Sequence, residues 1–314
     1  MITSFFNLPP LLQTTLAGLV SALWAVIIPQ IPVIGLILSP FLLVPLFFVS
    51  FSLGLKSGLQ AGLSAVFFAF LISSPLAGYA FFILHFMPFM AISALFLYQK
   101  NDHWTHAPGM ILSKMTMTFL LLVLGGLALL NAQEIDWQQS ILRHLDQMTT
   151  ASPSLSPMIE QMVGWLPSLV GLSMMASLTA NVYTAQTLLK KVHRNLRHFQ
   201  GEAWQVPTYW DIMVVVSMMA WMLFKFLCLP QTLLMAKTAA LLSCVPLGFT
   251  GFRICYLRLS ALASGRLWFR VLCMACFLLV WPLVFIVLLG FIEPWYALTQ
   301  RFSQNQRNTH HNDD

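Results

Sequence analysis

Few side chains in this sequence are able to do chemistry in an apolar setting, and His85 is the first of them. It lies in the run FFILHFMPFM, which contains no other charged or ionisable residue. An ionisable group inside a membrane-spanning helix is costly, so it often marks a ligand or proton site. The alternative is a neutral imidazole that is hydrogen-bonded to a nearby carbonyl or hydroxyl group. The sequence leaves both interpretations open.

Further polar side chains occur near the ends of apolar runs or within one of them. Asn181 forms a polar patch with Thr179 and Thr184, which either hydrogen-bonds to another helix or contacts a ligand. Gln30, Tyr79 and Trp165 lie near the predicted outer ends of spans. There they either line an outward-facing pocket or mark the membrane interface. The ligand-binding candidates are therefore Gln30, Tyr79, His85, Trp165 and Asn181.

Motifs of known catalytic or metal chemistry are missing from the sequence. Cys273-x-x-Cys276 has the spacing of a redox or metal pair, but it lies among Leu, Met and Phe, where buried cysteine is a packing residue. H-E-x-x-H, G-x-S-x-G and G-x-x-x-x-G-K-[ST] do not occur. We therefore predict no enzyme activity, no metal and no cofactor. An intramembrane lipid-modifying enzyme, resting only on His85 and Asn181, is kept as the third hypothesis.

Small residues recur at four-residue spacing in two stretches. This spacing brings small side chains to one face of a helix, where another backbone approaches closely. The partner is either another helix of this chain or a second membrane subunit. The residues concerned are Ala17, Ser21 and Ala25 in the first stretch and Gly54, Gly58 and Gly62 in the second.

The composition excludes a soluble globular protein and predicts an all-α, polytopic transmembrane helix bundle. Of the 314 residues, 58% are hydrophobic and only 8% are charged, and the mean hydropathy is +0.78. Helices are the expected spanning form because they satisfy their own backbone groups. We predict about nine spans, with eight as the alternative. They cover residues 11–28, 31–53, 57–73, 75–98, 110–131, 161–187, 209–230, 236–258 and 267–292.

The basic stretch LLKKVHRNLRHF predicts which side of the membrane each loop faces. Basic residues accumulate in cytoplasmic loops, so we place this stretch and the N-terminus in the cytoplasm and loop 132–160 outside. The stretch also fits a helix that continues the sixth span along the inner surface. It either fixes the membrane topology and contacts lipid, or it is a docking surface for a cytoplasmic partner. Its basic residues are Lys190, Lys191, Arg194 and Arg197.

One stretch resembles a known family. Ser39-Pro40 and Pro45-Leu46, followed by the three glycines at 54, 58 and 62, are similar to the YybS-like family of uncharacterised bacterial membrane proteins. That family distantly resembles the substrate-capturing S components of energy-coupling factor (ECF) transporters. The resemblance implies a six-helix core that binds a small molecule near its outer side. It also implies a transmembrane coupling subunit and ATPases as partners, with the small residues of the first span at the contact.

These observations predict four segments: an S-component-like core at 1–189, a basic connector at 190–208, three further spans at 209–292 and a polar tail at 293–314. The leading hypothesis is a bacterial inner-membrane subunit that binds a small molecule or takes part in its transport. We expect the lipid bilayer to surround this subunit, and we expect no nucleic acid as a partner. The alternative is a non-transporting scaffold for envelope assembly or division, with the basic stretch and the acidic loop 132–160 as its docking surfaces.

Overall fold

A computed structural model describes most of the chain. The described residues are 5–31, 35, 38–100, 103–104, 107–133, 137–148, 162–194, 196, 206–227, 230–262 and 264–296. Arg197, most of the predicted connector and most of the polar tail lie outside them. Twelve α-helices are found within these ranges, joined by short helical turns of other types and one pair of two-residue strands.

The helices follow the apolar runs of the sequence. The first five are α1 (Pro10–Ile27), α2 (Val44–Leu53), α3 (Leu55–Ile72), α4 (Pro75–Phe81) and α5 (Met87–Leu97). The next four are α6 (Pro108–Ala132), α7 (Trp137–Met148), α8 (Leu166–Lys191) and α9 (Tyr209–Phe226). The last three are α10 (Pro230–Ser260), α11 (Gly265–Leu278) and α12 (Val280–Tyr296). Strands β1 (Gln99–Lys100) and β2 (His103–Trp104) pair antiparallel between α5 and α6.

Six helices in the described residues are long and apolar enough to cross a membrane, so the chain has the helices of an integral membrane protein. A seventh span is formed if α11 and α12 count as one bent unit. The helix α8 has 26 residues but is not among the six, since several serines and threonines and Asn181 make it more polar. The nine predicted spans are thus only partly accounted for. The six segments are Pro10–Ile27, Leu55–Ile72, Pro75–Leu97, Pro108–Ala132, Tyr209–Phe226 and Thr232–Ser260.

Three of the nine predicted spans depart from a regular α-helix, the fourth predicted span only through a π turn at Phe82–Phe86. The predicted second span, 31–53, contains a shorter apolar segment, Ser39–Leu53, in which α2 follows a 3-10 turn. The predicted ninth span, 267–292, consists of two helices that meet at 111°. Prolines accompany the first interruption, as expected for a residue that lacks a backbone donor.

The chain divides into two compact units. The first, unit 1, comprises residues 1–107 and 172–202; the second, unit 2, comprises residues 108–171 and 203–314. Helix α8 therefore contributes its first residues to unit 2 and the remainder to unit 1. This division differs from the sequence-based boundary at 189, and the assignment of six spans to one S-component-like core stays a prediction.

Unit 1 is built on the contact between α1 and α3. Ala17 and Ser21 are buried on α1, and Ala25 lies half-buried one turn further on. Between them, a Cβ atom added to Gly18 would lie 2.6 Å from the Ala61 carbonyl oxygen and 2.8 Å from the Ala65 nitrogen. The two backbones are thus in contact, and the small residues of α1 are used within the chain.

Of the three spaced glycines, Gly58 and Gly62 contact neighbouring segments of unit 1, and Gly54 is a turn residue. Gly54 joins α2 to α3 with φ of 95°, a conformation that side chains disfavour. A Cβ atom at Gly58 would lie 2.7 Å from the Ser50 hydroxyl oxygen on α2. At Gly62 it would overlap the ring of Phe86. The glycine spacing therefore records packing of α3 against α2 and the fourth predicted span.

Unit 2 is centred on α10, which packs against α6, α9 and α12. Trp210 and Val214 of α9 form a buried cluster with Leu247 of α10. The Trp210 indole donates a hydrogen bond to the Ser243 carbonyl at 2.8 Å. The indole is buried and needs such a partner, so this bond fixes α9 against α10.

The basic stretch is helical only as far as Lys191. His193 has φ of 52°, and the Arg194 amide donates to the Leu189 carbonyl at 3.2 Å, which ends the helix. The Leu196 amide then donates to the Phe51 carbonyl at 3.0 Å. The predicted helical continuation is therefore wrong for residues 192–194, because this left-handed residue turns the chain back onto α2.

We expect Gly18→Ala to destabilise the protein by about 1–3 kcal/mol, since its methyl group meets backbone atoms of α3 that cannot move aside. Gly125→Ala in α6 is the matched control, because a Cβ atom there has no neighbour within 4 Å. Ala also has the higher helix propensity, so the control is expected to be neutral or stabilising. Thermal midpoints of the detergent-solubilised variants measure this difference. Equal midpoints for both variants would contradict the close contact.

Candidate functional site

The candidate site of unit 1 is a region where two predicted spans depart from α-helical geometry. We call it the helix-break region and define it as Ser39–Leu43 together with Phe82–Phe86. Ser39–Phe41 is a 3-10 turn, and α2 starts only at Val44. Pro45 has no amide hydrogen, so the usual helical bond to the Phe41 carbonyl cannot form. The backbone of this segment needs other partners.

The second half of the region is a π-helical turn. Phe82–Phe86 separates α4 from α5, and the Met87 amide donates to the Phe82 carbonyl five residues earlier. Pro88 follows in the first turn of α5 and cannot supply the normal bond to Leu84. Single π turns inside α-helices are rare and occur frequently at functional sites.

Ring contacts show that the two interruptions lie toward the same end of unit 1. The Phe47 and Phe89 ring centroids are 4.9 Å apart, and those of Phe51 and Phe96 are 4.2 Å apart. The earlier phenylalanine of α2 contacts the earlier one of α5, and the later one contacts the later one. The helices α2 and α5 therefore run parallel. Each interruption immediately precedes its helix. Both halves of the helix-break region therefore lie beyond the same end of this aromatic contact.

Asn181 of α8 satisfies the backbone of the first interruption. Its Oδ1 accepts a hydrogen bond from the Leu43 amide at 2.9 Å, and its Nδ2 donates to the Pro40 carbonyl at 2.6 Å. Nδ2 also donates to the Ser177 carbonyl at 2.7 Å. The Ser177 hydroxyl donates to the same Pro40 carbonyl at 2.8 Å. These bonds join α8 to the turn before α2.

These bonds favour the helix–helix interpretation of Asn181. Its side chain is 0% exposed. Both amide hydrogens and the amide oxygen are engaged by the chain's own backbone, so little capacity remains for a ligand. The broken helix explains why an amide stands here, since an amide is able to donate to a carbonyl and accept from an N–H at once. Thr179 hydrogen-bonds to the Met175 carbonyl of its own helix.

His85 lies in the π turn and is half-buried. Its ring centroid is 5.3 Å from that of Phe81, with the planes tilted by 54°. Within the described part of the chain, the imidazole has no hydrogen-bond partner in the protein. Both interpretations of His85, a hydrogen-bonded neutral imidazole and a ligand contact, stay predictions.

The other three candidates do not share one location. Tyr79 lies on α4, 67% exposed, six residues before His85. Gln30 ends the turn that follows α1 and donates to the Val26 carbonyl at 3.0 Å. Trp165 belongs to unit 2. The structure therefore brings His85 and Tyr79 onto one interrupted span and places Trp165 in the other unit.

Trp165 takes part in a polar cluster of unit 2. The Lys237 Nζ lies 3.9 Å from its ring centroid and donates to the Gly164 carbonyl. The rings of Trp165 and Trp221 meet edge to face at 6.3 Å. A cation held over an indole in apolar surroundings is stabilised by the ring electrons. This arrangement uses Trp165 for packing α10 against the segment before α8.

Asp211 is a buried ionisable residue that the sequence analysis missed. It lies in the first turn of α9, is 6% exposed, and its Oδ1 has no hydrogen-bond partner in the described structure. A signal for it exists in the sequence, because an aspartate stands at the start of the apolar run YWDIMVVVSMM. An acidic residue in a helix's first turn usually reflects the helix dipole. Its burial was not readable from the sequence.

Those basic residues of the stretch LLKKVHRNLRHF that the structure describes are exposed. Lys190 and Lys191 are exposed in the last turn of α8, where cations stabilise the helix end. The Arg194 guanidinium lies 5.4 Å from the Phe6 ring centroid. Arg197 lies outside the described residues.

The described residues contain no metal-binding cluster, that is, no group of three or more His, Cys, Asp or Glu that could hold an ion. Cys273 is exposed and Cys276 is buried, and both are free thiols.

Comparison of the chain with protein-family models, with curated proteins and with solved structures found no match.

We expect Asn181→Leu to lower the stability of unit 1 by about 2 kcal/mol or more, because the Leu43 amide and the Pro40 carbonyl lose a partner. Thr179→Val is the control on the same helix, since it removes only a local bond to the Met175 carbonyl. Thermal midpoints in detergent provide the comparison. If both variants lose the same stability, Asn181 does not hold the break.

Proposed function

We propose that the chain is a small-molecule-binding or transport-associated subunit of the bacterial inner membrane, with its ligand bound at the helix-break region. The observation that supports it most is the position of the 3-10 turn before α2 and of the π turn before α5. Both lie toward the same end of the aromatic contact between α2 and α5. Discontinuous membrane helices commonly form substrate sites, because their freed backbone groups and kinked geometry leave room for a ligand. The six candidate spans supply the membrane setting.

The residues of the second interruption indicate what kind of molecule fits. His85 supplies a hydrogen-bond donor and acceptor, and Tyr79 supplies a hydroxyl group on the same span. The neighbouring side chains Phe81 and Phe82 are apolar. We therefore propose a ligand with an apolar body and one or a few polar groups. Asn181 acts here as a positioning residue, because it holds the first interruption in place.

The partner proposal rests on the resemblance to YybS-like proteins and to ECF S components. In that view a transmembrane coupling subunit and ATPases complete the complex. Ala17 and Ser21 are buried within this chain, so the small residues of α1 add no separate support for a second subunit. The inward-facing N-terminus and basic stretch are likewise proposals, supported by the distribution of Lys and Arg.

Native mass spectrometry of the protein released gently from its membrane tests the ligand proposal. We expect one small molecule per wild-type chain and about tenfold weaker retention in His85→Ala, the effect of losing one good hydrogen bond. Leu76→Ala is the control, since Leu76 is 77% exposed on α4 of the same span and lies outside the helix-break region.

A bare wild-type chain, or one that carries only envelope-assembly proteins, would overturn the ligand proposal. The second of these results would favour the scaffold hypothesis instead. Equal retention by the two variants would remove His85 from the site.

A further inference from the structure

A second, independent observation concerns unit 2 and the carboxyl group of Asp211. This side chain belongs to a candidate span, Tyr209–Phe226, and only 6% of it is exposed. Its Oδ1 is buried and has no hydrogen-bond donor within the described structure. Buried carboxylates in proteins are normally paired or hydrogen-bonded, because removing a charge from water is costly. Asp211 departs from that rule.

The polar groups of the adjoining turns are already engaged. The Trp210 indole donates to the Ser243 carbonyl, and the Ser217 and Ser243 hydroxyls bond to each other at 2.9 Å. The Thr250 hydroxyl donates to the Pro246 carbonyl at 2.9 Å. Trp210 and Val214, which flank Asp211 on α9, pack in the apolar cluster around Leu247. The donors named here serve other acceptors.

No hydrogen bond or ion pair joins Asp211 to a charged group on the elements packed against it, as far as the structure describes them. Lys237 is engaged by Gly164 and Trp165. Arg253 interacts electrostatically with Glu293 of α12. The ionisable side chains on these elements are Tyr209 and Lys225 on α9, Lys237, Cys244, Arg253, Cys255, Tyr256 and Arg258 on α10, and Glu293 and Tyr296 on α12.

We propose that Asp211 is a proton-binding site, where burial of the carboxyl group favours its neutral form. The carboxylate takes up one proton from water and becomes a neutral carboxylic acid, with no other bond made or broken. A neutral acid removes the cost of a buried charge, and its hydroxyl becomes a donor. The dipole of α9 favours the anion, but this effect is smaller than the cost of burial.

A proton fits this site better than a metal ion. Calcium takes six to eight oxygen ligands, and magnesium demands a nearly ideal octahedron. Among the described residues no cluster of three His, Cys, Asp or Glu is available for an ion. A proton needs only one carboxyl oxygen.

Infrared spectroscopy of the full chain in lipid nanodiscs tests the proposal, because neutral and ionised carboxyl groups have separate carbonyl bands. We expect wild-type protein at mildly acidic pH, where exposed carboxylates are ionised, to show a neutral-acid band that is missing in Asp211→Asn. The band is expected to decrease as the pH is raised. Glu293→Gln is the control, and it is expected to keep the band.

Two results would overturn the assignment. Identical neutral-acid intensity in wild type and Asp211→Asn would show that Asp211 is ionised. Loss of the band on adding sodium or potassium at constant pH would show a metal-cation site instead. If Asp211→Asn does not fold, Asp211→Glu replaces it: a shifted band supports the proposal, and an unchanged band contradicts it.

Discussion

Every polar backbone group inside a membrane needs a partner within the protein, and this constraint explains the arrangement of unit 1. The turn at Ser39–Leu43 has lost regular helical bonding, with Pro40 and Pro45 as the cause. Asn181 supplies both the acceptor and the donors that the turn requires. An irregular backbone at membrane depth is tolerated only where protein or a cavity surrounds it. The amide of Asn181 is thus what permits a helix break in this position.

The same constraint separates two kinds of polar residue in the chain. Asn181 and Trp210 have all the partners their geometry calls for, and both hold helices together. His85 in the π turn and the Oδ1 atom of Asp211 in the first turn of α9 lack such partners in the described residues. Fully bonded polar groups stabilise a membrane protein, and we propose these two incompletely bonded ones as sites for a ligand and for a proton.

Much of the helical architecture was predictable from the sequence, because long apolar runs in a chain with 8% charged residues leave few alternatives. The helix α7 was also predictable, because the apolar residues between Trp137 and Met148 recur at helical spacing. The interruptions were harder to place, since a proline in a span is compatible with either a kink or a break. The burial of Asp211 and the partner of Gly18 depend on contacts with α10 and α3, which no local pattern encodes. For the same reason, the small residues of α1 were compatible with a second subunit until their contact with α3 was visible.

Amide hydrogen exchange at Leu43 tests the central claim most directly. In wild-type protein in lipid nanodiscs, the peptide that covers Ser39–Phe47 is expected to exchange slowly at Leu43, as the neighbouring amides of α2 do. In Asn181→Leu the exchange at Leu43 is expected to become much faster, while amides later in α2 keep their protection. Slow exchange at Leu43 in both proteins would show that the lipid or another group protects this amide. Asn181 would then not be the residue that permits the helix break.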